Sequence, residues 1–141
     1  MGRENRWKCS FLDTEGVIEE IETPTFFSVY LYDFIQLRND GISNKNVRKF
    51  TEGEKQWAVM RKDQIVERIE KLRSPKHGIY AINCYYHGVS RQDSQVTQIS
   101  VLGKTLSQSF QEWLEGKPVE LVDDQCGDTI ACNPRCPPVT W

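Results

Sequence analysis

Phe26-Phe27-Ser28-Val29-Tyr30-Leu31-Tyr32-Asp33-Phe34-Ile35-Gln36-Leu37 is the stretch whose reading decides the fold. Aromatic and β-branched residues suit a pleated backbone, so it reads as a strand. Alternation puts Phe27, Val29, Leu31, Ile35 and Leu37 on one face and Phe26, Tyr30, Tyr32 and Phe34 on the other. Two apolar faces predict a central strand with helices on one side. The second side then meets more protein, a partner or a ligand.

Upstream, Gly16–Glu22 reads as a short edge strand closed by Thr23-Pro24-Thr25. Downstream, Asn39-Asp40-Gly41 is a turn, since all three residue types tolerate positive φ. Asn44, Lys45, Asn46, Arg48 and Lys49 make a basic loop, and Lys55–Met60 reads as a short strand. Asp63 is placed to cap a helix whose apolar face is Ile65, Val66, Ile69 and Leu72, with Glu67 and Lys71 paired one turn apart and Pro75 and Gly78 ending it. Gly78–Val89 is a second strong strand, and Gln95–Leu102, which alternates cleanly, is a third that forms a loose hairpin with it. Thr105 opens a helix carrying Leu106, Phe110, Trp113 and Leu114 on one face; Gly116 and Pro118 stop it, and Val119–Val122 adds an edge strand.

The expected fold is therefore α+β: an antiparallel sheet of four to six strands with two helices packed on one face. Residues 1–25 are an N-terminal segment with the possible edge strand, 26–122 a compact core, and 123–141 an irregular Cys/Pro-rich tail.

A chain of 141 residues buries roughly 68% of its extended surface on folding, enough for one core without staples. No apolar run of about 20 residues is present, so no membrane span is expected. Net charge is -2, which argues against strong general attraction to nucleic acid. The charge is uneven: residues 38–76 hold eleven Lys/Arg against six Asp/Glu, and residues 105–141 hold two against six. The N-terminus has no apolar leader core, so the expected location is the cytoplasm, with thiols reduced.

Three constellations bear on chemistry. Cys126, Cys132 and Cys136, with His87 and its neighbour in spacing Cys84, offer a zinc set. Residues 84 and 87 point to opposite faces of a regular strand, which counts against both a zinc site and a Cys–His nucleophile there. Otherwise no cofactor is implied. No G-x-S-x-G, phosphate-binding loop or zincin helix is present, and a non-enzyme is expected. Tyr30, Tyr32, Tyr80, Tyr85 and Tyr86, with Arg48, Lys49, Arg61, Lys62 and Arg91, would serve a nucleic-acid binder, for example of viral or regulatory RNA. The favoured partner is a protein, met through Glu15, Glu19, Glu20 and Glu22 and through Tyr30, Tyr32, Tyr85 and Tyr86. The oligomeric state is left open.

Two segments carry a resemblance. Gln95–Gly116, with its Ser109-Phe110-Gln111-Glu112-Trp113-Leu114 helix, resembles the strand and helix near the end of SUKH-type immunity proteins. The unit from Trp57 to Tyr85 is similar to units common in bacterial toxin-immunity proteins. The first third departs from that pattern, lacking the opening helix. The resemblance implies an immunity-type inhibitor that blocks a cognate toxin or enzyme without catalysis.

Overall fold

The structure, a computed structural model, describes residues 21–88 and 93–138. The elements are β1 (Phe26–Asp33), α1 (Phe34–Asn39), a 3-10 turn (Val47–Lys49), α2 (Glu52–Lys71), β2 (Gly78–Tyr86), α3 (Asp93–Gln98), β3 (Ser100–Val101), β4 (Lys104–Thr105), α4 (Leu106–Leu114) and β5 (Val119–Val122). The main sheet has the order β1-β2-β5, and both pairings are parallel. β3 and β4 form a separate antiparallel pair.

The antiparallel sheet of four to six strands is thus corrected to a three-stranded parallel one. The two helices expected on one face are also redistributed. Leu31, Ile79 and Ala81 pack with residues of α1 and α2. Tyr30, Tyr80, Ile82 and Cys84 pack with Ile99, Val101 and Leu106. Parallel neighbours need a long crossover on a covering layer, which leaves both faces of such a sheet buried. β2 accordingly is buried along its whole length except at Tyr86.

Local chemistry explains each boundary the sequence reading misplaced. β1 stops at Asp33 because that residue caps α1: its Oδ1 accepts from the backbone N–H of Ile35 at 2.9 Å and of Gln36 at 3.1 Å. α2 starts at Glu52, not after Asp63, because Thr51 and Glu54 form a capping box, so Lys55–Met60 is helix rather than strand. The third strand is corrected as well. Asp93–Gln98 is helical, and only Ser100–Val101 is strand, turning back at Leu102 and Gly103 with φ of 50° and 83°. Two successive positive φ angles give the tight hairpin turn that joins β3 to β4. Thr105 does cap α4, with Gln108 completing its capping box. Residues 16–20 of the proposed N-terminal strand lie outside the described residues; Ile21 and Glu22 are not strand.

Candidate active site

A parallel sheet gathers the carboxyl ends of its strands at one edge, and that edge is where such folds place their chemistry. Here β1 ends in Asp33 and β2 is followed immediately by His87. The two side chains meet: His87 Nδ1 lies 2.6 Å from Asp33 Oδ2.

Asp33 is held from two directions. Oδ1 accepts the two N–H groups of α1, and Oδ2 faces the imidazole. The carboxylate therefore cannot rotate without breaking its cap. Beside it, Phe34 sets its ring edge-on to His87, centroids 5.9 Å apart. With Nδ1 donating to the carboxylate, the imidazole keeps Nε2 as its proton-accepting nitrogen. A hollow of about 250 Å³ runs from His87 and Asp33 past Ile65 to Tyr30 and Ser28. Ser28 is not within reach of the ring: it lies five positions before Asp33 on β1, roughly 16 Å at the usual rise.

A bulge sets where His87 falls. Tyr30 pairs with Ile82, yet Tyr32 pairs with Tyr85 and Asp33 with Tyr86. Two residues of β1 are thus matched by three of β2, the extra one at Asn83–Cys84. The backbone of Asn83 turns to the segment after β5. Its N–H donates to Asp123 Oδ2 at 3.3 Å, and its carbonyl accepts from the N–H of Asn133 at 3.1 Å. Its side-chain Oδ1 accepts from the N–H of Cys132 at 3.1 Å. Asn133 Nδ2 in turn donates to Asp123 Oδ2 at 2.8 Å and to the Ser100 carbonyl at 2.9 Å. Disulfides Cys84–Cys136 and Cys126–Cys132 close this strap. Lys62, buried on α2, reaches it through Asp128 at 3.4 Å.

The residues singled out from sequence are placed as follows. Cys126, Cys132 and Cys136 are all disulfide-bonded, and His87 pairs with Asp33 rather than with them. Among the described residues no group of three His, Cys, Asp or Glu is set to hold a metal ion. Tyr30, Tyr32 and Tyr85 are buried in the core, and Tyr86 is half-buried against Tyr30. Burial pushes the Tyr80 hydroxyl up to about 12, and raises Tyr30, Tyr32 and Tyr85 as well. Glu22 is exposed and its carbonyl accepts from Lys76 Nζ. Glu15, Glu19, Glu20 and Arg91 lie outside the described residues. Sequence reading missed Asp33. Its signal was an acidic residue closing an apolar strand, with a histidine closing the next.

Aspartate at the end of one parallel strand, histidine just past the end of the next, joined through Nδ1, is the arrangement of hydrolases whose relay runs nucleophile, Asp, His along the chain. The family model for Pectinacetylesterase matches residues 2–137, and the chain belongs to that family. A comparison with curated proteins finds no match. Membership in a family of ester hydrolases overturns the expected non-enzyme and immunity-type inhibitor. The likeness to SUKH proteins came from an amphipathic helix and a supposed long strand; the helix is real, but most of the strand is helix α3 and only Ser100–Val101 is extended.

Proposed function

We propose that the chain supplies the base of an ester hydrolase centre that removes acetyl groups from a pectin-type polysaccharide. His87 acts as general base and Asp33 holds its ring. The observation that carries this reading is the 2.6 Å contact between Nδ1 and Oδ2 at the carboxyl edge of a parallel sheet. In the reaction, a hydroxyl nucleophile gives its proton to Nε2 and its oxygen attacks the acetyl carbonyl. The imidazolium formed, stabilised by Asp33, returns the proton to the departing sugar oxygen. Water then repeats the sequence on the acetylated nucleophile and frees acetate.

The substrate reading has its own support. Arg38, Arg48 and Lys49 are exposed on α1 and the loop after it. That loop is tied to the carboxyl end of β2 by the Tyr85 hydroxyl, which donates to the Asn44 carbonyl at 3.0 Å. Cations there suit the carboxylates of a polyuronide. Two disulfides support an oxidising compartment as the place of action, in place of the cytoplasm.

The test is acetate release from acetylated pectin and hydrolysis of p-nitrophenyl acetate by the wild type and His87→Ala. Activity that falls by three orders of magnitude or more in the variant supports the reading. Equal activity in the two proteins refutes it.

A further inference from the structure

Only Tyr85 and Tyr86 separate the bulge in β2 from His87, and the geometry links bulge and relay. In an unbroken register Asp33 would pair with Tyr85; the bulge draws β2 back so that it pairs with Tyr86. His87 is then the next residue, close enough for its ring to reach Oδ2. If β2 slipped out of its bulge, His87 would move along the strand by one residue, about 3.3 Å, and its side chain would swing toward the other face. A bond of 2.6 Å does not survive either change.

An extra residue in a strand leaves its backbone unpaired unless something else pairs it. At Asn83 the strap pairs the backbone twice, the N–H to Asp123 Oδ2 and the carbonyl to the Asn133 N–H, and the side-chain Oδ1 adds a third tie by accepting from the Cys132 N–H. The side chain of Asn83 is fully enclosed, so these bonds form away from competing water. Cys84, the other bulged residue, is bridged to Cys136 in the same strap.

We propose that Asn83 is a positioning residue of the relay: with the Cys84–Cys136 bridge, it fixes the β2 bulge and thereby the register that brings His87 to Asp33. The role is played at a distance and rests on the reading of Asp33 and His87 as a hydrolytic pair. It also predicts a chemical dependence, because a reductant that opens Cys84–Cys136 loosens the same register.

The test is Asn83→Ala in the full chain, read first by proton NMR of the hydrogen-bonded His87 Nδ1–H, which needs no turnover. The expected result is loss of that low-field signal with far-ultraviolet circular dichroism unchanged, and a drop in kcat of about 100-fold at constant KM. A folded variant that keeps the signal at its wild-type position overturns the proposal. Should the variant not fold, the wild-type chain decides: dithiothreitol is added stepwise, with alkylation and peptide mapping of each cysteine. The signal should vanish with the opening of Cys84–Cys136 and persist through that of Cys126–Cys132. Its survival after Cys84–Cys136 has opened overturns the proposal. A chain in which Asn83→Ala abolishes the signal but the wild type hydrolyses no ester keeps the positioning role and removes the esterase reading.

Discussion

Asp33 lends itself to a perturbation that separates two jobs held by one carboxylate. Its Oδ1 caps α1 and its Oδ2 binds His87. Asparagine is as good a cap as aspartate, whereas alanine loses the cap at a cost of about 1 kcal/mol. The bond from His87 to a carboxylate contributes about 1.5–3 kcal/mol in general. The His87 side chain is 43% exposed, so the lower end applies and solvent screening reduces it further. Asp33→Ala is therefore expected to lose about 2 kcal/mol in all. Asp33→Asn keeps the cap and forces the ring into the other tautomer, with a stability loss of about 1 kcal/mol or less. Catalysis should not follow that ranking. An asparagine in this role presents an amide N–H where the ring needs an acceptor, and costs about 10⁴-fold in kcat; alanine should cost a similar factor. Urea denaturation at neutral pH gives the stability order, and acetate release gives the activity order. If Asp33→Asn retains activity within ten-fold of wild type, or is as unstable as Asp33→Ala, the division of labour is wrong.

Removing the long bridge by Cys84→Ala with Cys136→Ala should cost about 4 kcal/mol from the chain entropy of the loop it closes, and Cys126→Ala with Cys132→Ala about 2 kcal/mol; the reverse order in non-reducing urea denaturation refutes the loop-length argument. Thr51→Ala breaks the capping box of α2 and should lower stability by about 1 kcal/mol, read from the denaturation midpoint at constant slope. Stability should also fall in alkali. The folded pKa of Tyr80, raised to about 12 by burial, lies above its unfolded value near 10, so its contribution is intact below about pH 10 and is lost as pH rises through 12. A denaturation midpoint unchanged between pH 9 and pH 12 contradicts this.

Much of the scaffold was legible because periodicity reports burial. The strands at 26–33, 78–86 and 119–122 and the helix at 106–114 stand close to where alternation, capping and glycine placed them. Strand direction was not legible. A hydrophobic strand carries no mark of whether its neighbour runs with it or against it, and the false strand at Gln95–Leu102 supplied a hairpin that demanded antiparallel pairing. Lys55–Met60 misled for a related reason: Trp57 is 44% exposed, so an apolar side chain sat on the wet face of α2 and blurred its helical period. The site was hidden by the same kind of error. Reading a strand through to Leu37 made Asp33 an interior strand residue, when it is the point where strand becomes helix. His87 was weighed only against cysteines, because the rule that 84 and 87 face apart assumes one regular strand through both, whereas β2 is bulged at Asn83–Cys84 and ends at Tyr86, before His87.

The pairing of β1 with β2 and of β2 with β5 has a consequence for how the chain is made. Neither contact joins neighbours in sequence; each waits for dozens of intervening residues to be present. Domains built on such distant pairings fold slowly, since loop entropy is spent before any contact rewards it. On a ribosome, β1 would emerge and stand without a partner until β2 followed. Its apolar edge would be open for that interval, a hazard for aggregation. The cysteine that locks β2 comes later still, at position 136. Oxidation of Cys84 by any earlier cysteine would trap the wrong loop, so the yield of native chain should depend on a catalyst of disulfide exchange more than on the stability of the finished fold.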